Sequence, residues 1–301
     1  MSRANNNPSL SIIFPNWNGN KEDLSLLLNS IKQSNYIKNK LEVVMVDNGS
    51  TDDSVEFVSQ RFPWVKIIKL PKNFGFAKAV NIGIKQSTNK FLFITNNDVR
   101  LDKNCLDYLV QFLDNNPWVG VVGGKIYNQK YKKRILSAAL SYNFFTGRFT
   151  MSKRLNKLQE VDWVTGCGML CSKALWKKLR GFDEGFFFTG EELDFCLRAQ
   201  YLGLKNIYYP KAYLWHKGGS TSGRVELFRF KYYEEYKSKL RLIFKHGNFL
   251  QMLSAFSLQF FLFTPYRVLI LKEGDLVLFI KALIWNLKNL PTNIASQKRY
   301  E

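Results

Sequence analysis

Short apolar runs alternate with segments of helical period through the first hundred residues. "LSIIF" is a buried strand ended by Pro15, and the next helix is capped by Asn20, with Asp23 three residues on and Leu24, Leu27, Leu28 and Ile31 at helical spacing. "LEVVMV" reads as a second buried strand, followed by the turn "DNGSTDDS" and a helix carrying Val55, Val58 and Phe62. "VKIIKL" and "FLFIT" are two more strands, separated by the helical pattern of "KNFGFAKAVNIGI". Strands and helices in units of roughly 25 to 30 residues predict an α/β fold with a mostly parallel sheet. Ligands of such sheets gather beyond the carboxyl ends of the strands, where "PNWNG", "DNGSTD" and "NND" all fall.

Past this region the pattern changes twice. Residues 125–157 hold nine Lys or Arg and no Asp or Glu, interleaved with Tyr and Phe. That stretch is either a solvated basic face or a groove rim facing an anionic acceptor or membrane. After Lys217 the chain becomes aromatic and helical, "RVELFRFKYYEEYKSKLRLIFKHG", and then uncharged over 247–266. The uncharged stretch is long enough to span a bilayer. Gln251, Ser254, Ser257, Gln259 and Pro265 dilute it, however, and Lys245, His246 and Arg267 flank it, which favours an interfacial or re-entrant helix over a span or a soluble core helix. The organisation expected is a main domain over residues 1–220 and a helical, membrane-associating region over 221–301.

The net charge of +20 calls for anionic partners: nucleotide diphosphates, nucleic acid or an anionic membrane surface. Cys105, Cys167, Cys171 and Cys196 show no C-x-x-C pairing and sit among apolar neighbours, as buried thiols of a reducing compartment do. "MSRANNNPSL" has no apolar run of the kind a cleaved secretion signal needs.

Chemistry-bearing residues cluster at four places. Asp47 ends a buried strand beside a Gly-Ser turn, placed either to accept from a base imide or ribose hydroxyl or simply to close an Asx turn. Asn96, Asn97 and Asp98 end another strand with oxygen-bearing side chains that suit a hard divalent cation on a diphosphate. His216 follows "NIYYPKAYLW" and precedes Gly-Gly-Ser, whose amides can cradle an anion. Glu191, Glu192 and Asp194 crowd the first turn of a helix closing near Gly203, after the run "GFDEGFFFTG". Carboxylates this close raise each other's proton affinity unless a cation or hydrogen bonds offset it; the plain alternative is complementation of the helix dipole. Neither G-x-G-x-x-G after a strand nor a P-loop motif occurs.

Taken in order, "SIIFPNWNG", "VVMVDNGSTDDSVEF", "KLPKNFGFAKAVNIGI", "FLFITNNDV", "VGVVGGKIY", "VDWVTGCGML", "GFDEGFFFTGEELDFCLRAQYLG" and "YLWHKGGS" resemble a family 2 glycosyltransferase, with bacterial rhamnosyltransferase-like members the nearest in pattern. The resemblance covers about residues 8–220. It implies a GT-A fold, Rossmann-like with a small antiparallel part, and inverting transfer from a nucleotide sugar onto a growing surface glycan or lipid-linked saccharide. It further implies that Pro15 and Asn16 line the nucleotide pocket and that Asp47 binds the base. Asn73, Lys78 and Asn81 would face ribose or diphosphate. Asn96-Asn97-Asp98 would be the D-x-D position, with Asp98 and His216 as ligands of Mg²⁺ or Mn²⁺. Trp163, Thr165, Gly166 and Cys167 would form the wall facing donor sugar and acceptor, and Glu192 would be the base. Two positions differ from the family pattern: Asn96 replaces the first Asp of D-x-D, and Glu192 replaces the usual Asp base, which leaves Glu191 as an alternative.

On this reading the donor is best taken as dTDP-rhamnose and the enzyme as cytoplasmic, peripheral on the inner membrane face, with a homodimer left open. A non-catalytic module that binds nucleotide sugar or scaffolds glycan assembly is the second reading. Nucleic-acid binding, suggested by charge alone, has no supporting motif.

Overall fold

The computed structural model of the chain describes residues 8–131, 133–218, 225–270 and 275–290. Its centre is a twisted sheet built from β1 (Leu10–Asn16), β2 (Leu41–Asp47), β3 (Lys66–Lys69), β4 (Phe91–Ile94), β5 (Val99–Leu101), β6 (Val119–Asn128), β7 (Ile135–Ser137), β10 (Gln159–Val161), β11 (Met169–Ser172) and β12 (Lys205–His216). The order is β10-β12-β6-β11-β4-β1-β2-β3, with β5 beside β12 and β7 beside β6. β3, β2, β1 and β4 run parallel, as do β6 and β12, while β11 lies antiparallel between the two groups. β8 (Leu140–Asn143) and β9 (Arg148–Met151) make a separate hairpin.

Helices α1 (Lys21–Gln33), α2 (Ser54–Arg61), α3 (Phe76–Lys85) and α4 (Cys105–Asp114) follow strands in the first part of the chain. Side-chain alternation along β1 divides two cores: Leu10, Ile12 and Phe14 pack with α1 and α4, and Ile13 packs with Val80 and Ile84 of α3 on the other face. The predicted cap of α1 is present, Asn20 accepting from the Asp23 amide at 3.1 Å. One expectation is corrected: β1 does not stop at Pro15 but runs on to Asn16. The ladder to β4 has already ended at Ile13–Ile94, so the missing proline N–H costs the sheet no bond, and β1 continues against β2. All four cysteines are buried free thiols.

α5 (Lys173–Lys178) and α6 (Glu191–Tyr201) cover the second core. The acidic cluster lies on the first turn of α6, as expected, and Gly203 ends the segment at φ 77°. Then come α7 (Val225–His246), α8 (Phe249–Leu258), two π-helical turns (Gln259–Phe263 and Tyr266–Ile270) and α9 (Leu276–Lys288). Phe249–Ile270 is a helix long and apolar enough to cross a membrane, with little of it buried. The predicted Gly-Gly-Ser cradle after His216 lies outside the described residues from position 219 onward.

The end of α7 docks on α6 through a buried ion cluster. The Asp194 carboxylate, fully buried, meets Arg198 at 2.8 Å, Lys245 at 2.5 Å and His246 Nε2 at 2.8 Å. Lys245 also reaches Asp183 (2.8 Å), which Arg241 holds at 2.9 Å. Burial pushes the Asp194 pKa up, but the Arg198 and Lys245 charges and the His246 hydrogen bond outweigh it and hold the carboxyl well below the usual range. Burial lowers the His246 pKa, which leaves a neutral ring that donates from Nε2 to Asp194 and accepts the Tyr201 hydroxyl at Nδ1 (3.1 Å). Asp194→Ala strands these cations, so it should cost about 3–5 kcal/mol of unfolding free energy in a urea titration. A loss below about 1 kcal/mol, the range of exposed pairs, would show the cluster to be energetically idle.

Candidate active site

The carboxyl ends of β1, β2 and β4 meet in a hydrogen-bonded layer centred on Asn16. Its Nδ2 donates to Ser54 Oγ (3.0 Å), Ser50 Oγ (3.3 Å) and Asp47 Oδ1 (3.4 Å), and its Oδ1 accepts from Asn97 Nδ2 (3.0 Å). Asn48 braces the next strand-end by donating to Asn73 Oδ1 (2.9 Å) and accepting from the Phe74 amide (2.9 Å). Above this layer opens a cavity of about 1010 Å³, large enough for a nucleotide sugar.

Pro15, Asn16, Asn73, Asn96, Asn97, Asp98, Thr165, Gly166, Cys167, Glu191, Glu192 and His216 all line this one cavity, although they lie as far apart as 201 positions in the chain. Five predicted residues do not line it. Asp47 is buried one layer below, where it accepts from Asn16 and the Ser50 amide. Asn81 exchanges hydrogen bonds with the Phe182 backbone, and Lys78 pairs with Glu184 at 3.6 Å, so both brace the 182–184 loop. Trp163 packs edge-on against Phe149. Asp194 does not line the cavity but enters the ion cluster; it follows Glu192 by two positions, roughly 200° round the helix.

Other lining residues carried little sequence signal. Trp17, Asn18, Gly19 and Asn48 sit in the strand-end loops, and Phe187, Phe188 and Thr189 come from the run before α6. Phe230 and Lys231 reach in from α7, with Phe230 edge-on to Phe187 at 5.1 Å. The 187 loop is pinned at Gly75, whose φ of 87° and 2.3 Å approach of a notional Cβ to the Phe187 carbonyl leave no room for a side chain.

Two chemical groupings share the cavity lining. In the first, His216 Nε2 lies 3.0 Å from Asp98 Oδ1 and 3.2 Å from the Asn96 amide. A carboxylate, an imidazole and an amide whose oxygen can be turned inward suit a divalent cation that keeps open positions for diphosphate oxygens and water. Among the described residues no set of three His, Cys, Asp or Glu forms a closed metal cage. With no cation bound, burial lowers the His216 pKa, but the Cys167 sulfur and the Asp98 carboxylate outweigh it and lift the ring to about 10.

The second grouping is the glutamate pair. Burial and the neighbouring Glu192 charge push the Glu191 pKa well up. Burial also raises Glu192, but the amides of its own residue, Gly190 and Gly166 and a hydrogen bond from Glu191 hold part of that rise back. The two carboxyls therefore titrate as a coupled pair, with Glu191 raised further than Glu192.

The family model described as glycosyl transferase family 2 matches residues 11–179. The chain belongs to that family. It is a nucleotide-sugar glycosyltransferase with a GT-A fold. An N-acetylglucosaminyl-diphospho-decaprenol L-rhamnosyltransferase of Mycobacterium tuberculosis is 25% identical over 211 residues, which cover 61% of this chain and 69% of that protein. The probable glycosyltransferase YdaM of Bacillus subtilis is 24% identical over 71% of this chain and 52% of its own length. Among solved structures, residues 1–349 of Staphylococcus aureus TarS superpose with a TM-score of 0.61 at 20% identity, covering 91% of this chain and 79% of that one. Mannosyltransferase PcManGT of Pyrobaculum calidifontis, solved with GDP-Man and Mn²⁺, gives 0.61 at 18%, covering 97% and 85%.

A base with a raised pKa sets the acid limb of the rate. The kcat/KM of this glycosyltransferase should fall as pH drops through a value above 4.5, the ordinary glutamate pKa, because protonated Glu192 cannot accept a proton. Glu191→Gln keeps a hydrogen-bond donor beside Glu192 and should keep the limb. If the limb persists in Glu192→Gln and disappears in Glu191→Gln, the roles are exchanged.

Proposed function

We propose that the enzyme inverts the donor's anomeric centre, using Glu192 as general base, and moves a sugar, with rhamnose from dTDP-rhamnose the first candidate, onto a hydroxyl of a growing surface glycan or lipid-linked saccharide. The observation that carries this is that the Glu191–Glu192 pair and the Asp98–His216–Asn96 group line a single cavity. Glu192 accepts the acceptor hydroxyl proton while the new C–O bond forms and the sugar–phosphate C–O bond breaks, releasing the nucleotide diphosphate; no covalent sugar–enzyme intermediate is needed. Glu191 stays protonated and steers its proton toward Glu192. Asp98 and His216, with Asn96, would hold Mg²⁺ or Mn²⁺, which as a Lewis acid offsets charge developing on the leaving diphosphate. Asn73 and Asn97 face ribose and phosphate, and Asp47 acts through Asn16 and the Ser50 turn. Thr165, Gly166 and Cys167 face the sugar. The rhamnose choice is supported by the mycobacterial relative's name, and the lipid-linked acceptor by the same name.

Glu192→Gln should abolish transfer, by about 10²-fold or more for loss of a positioned base, while leaving nucleotide binding intact. The assay is release of nucleotide diphosphate across a panel of nucleotide sugars, with and without Mn²⁺. Near-normal turnover in the variant would sink the base assignment, and metal-independent turnover would sink the role given to Asp98 and His216.

The same reading places the enzyme on the inner face of the cell membrane, with residues 221–301 as its contact region. Phe249, Leu253, Phe261, Leu262, Leu269 and Ile270 stand exposed along one helical stretch, Phe249 and Phe261 at 73% and Leu269 at 72%. Leu276, Val277, Ile280, Ile284 and Leu287 of α9 are exposed as well. So much apolar surface beside Arg148, Arg267 and Lys281 fits a headgroup boundary better than water. The enzyme should float with phosphatidylglycerol-containing vesicles, and Phe261→Ser with Leu269→Ser should leave it in the soluble fraction. Failure to float with any vesicle refutes the contact, and resistance to alkaline carbonate would identify a span instead.

A further inference from the structure

β6 and β12 present a second concave surface on the face of the sheet opposite the donor cavity. Strand alternation separates the two. Ile126 and His216 line the donor side, while Lys125 and Tyr127 of β6 and Tyr213 and Trp215 of β12 face the other way, paired in register as Tyr213–Lys125 and Trp215–Tyr127. Together with Lys133, Lys153 and Asn156 they enclose about 630 Å³. None of the three rings belongs to a hydrophobic core cluster of the described residues.

We propose that this concavity is a second ligand site that takes an anionic saccharide chain, with phosphate or carboxylate groups held by Lys125, Lys133 and Lys153 and sugar rings laid on Tyr127, Tyr213 and Trp215. Lys125 is the anchor: it is 6% exposed, its Nζ donates to Asn156 Oδ1 at 2.7 Å, and among the described residues no carboxylate lies within ion-pair distance of it. A buried ammonium without a counter-ion is costly unless a ligand supplies one. Lys133 and Lys153 are exposed at the rim. Arg100 lies over the Trp215 ring at 4.0 Å and adds a fourth cation nearby. Asp102 is the acid closest to the rings, and the Tyr213 hydroxyl engages it.

The rings favour sugar over nucleic acid. Tyr213 stands at 83° to Tyr127 and 82° to Trp215, so it breaks any run of stacked bases across the three rings, although Tyr127 and Trp215 are tilted by only 32° at 6.4 Å. Polarised C–H groups of a pyranose, in contrast, pack on single ring faces, whose quadrupole is negative. A bilayer surface cannot follow Lys125 into a concavity, whereas a chain can.

The two cavities are back to back and share an edge. β7 pairs only with β6 among the described strands, and it gives Leu136 to the donor cavity and Ile135 to the second site. A chain held at the lysines and passing over this strand reaches the donor cavity with its end. The inference rests on the glycosyltransferase reading for that continuation, but not for the binding itself.

The test uses the full chain and titrates poly(glycerol phosphate) and oligogalacturonate oligomers, neutral dextran oligomers of equal length, a single-stranded oligonucleotide and phosphatidylglycerol vesicles. Both anionic oligomers should bind, with at least a tenfold loss of affinity in Lys133→Ser/Lys153→Ser, and oligogalacturonate, the one of the two with sugar rings, should lose more on adding Tyr127→Ala. Dextran should not bind, and nucleotide-sugar binding at the donor cavity should be unchanged in every variant. Equal affinity of wild type and double variant for the anionic oligomers overturns the proposal. So does oligonucleotide binding with the same dependence on Lys133 and Lys153, or loss of vesicle flotation in the double variant with no oligomer binding. Loss of donor binding in the wild type itself would instead count against the catalytic reading alone.

Discussion

One buried carboxylate, that of Asp194, fixes where the working parts of this enzyme stand. Arg198 and Lys245 are close enough to its oxygens for charge-assisted hydrogen bonds, and His246 completes the shell. Such an anion is tolerable in the interior only with these partners, and two of them come from the far end of α7. α6 and α7 are therefore locked together. Glu191 and Glu192, on the same helical turn, are held against the cavity, and Phe230 is brought over it from the start of α7.

Charge is distributed against the average of the chain. The protein carries +20, yet Asp23, Asp98, Glu191 and Glu192 line the donor cavity against Lys217, which pairs with Asp23 at 2.7 Å, and Lys231. A nucleotide diphosphate entering such a lining needs a compensating cation, and Asp98 with His216 is the place where donors converge. The surplus of lysine and arginine lies elsewhere: on the outer face of β6 and its following loops, and beside the exposed apolar helices. Both are surfaces whose charge suits an anionic polymer or lipid headgroup.

The strand-end motifs were legible because an α/β sheet collects the carboxyl ends of neighbouring strands on one side. Asn16, Asn97 and Asp98 could be assigned to one site from this rule, and the family resemblance added Glu192 and His216. Asp47 lies one layer below the cavity lining: a strand-end Asp can face a ligand or brace the turn, and here Asn16 reaches it from β1. Asn81 and Lys78 were drawn toward the diphosphate by the motif, yet the 182–184 loop claims them both.

By itself the sequence determined the alternation of strands and helices, the parallel half of the sheet, the acidic first turn of α6 and the apolar character of residues 247–266. Those follow from periodicity and local composition, which act over a few neighbouring residues. Tertiary structure alone decided that Asp194 serves packing while Glu191 and Glu192 serve the cavity, since three positions on one helical turn are distinguished only by what packs on each side. It alone decided that Trp215 and His216, adjacent in the chain, belong to different cavities, because a strand sends successive side chains to opposite faces and only the assembled sheet gives each face its neighbours.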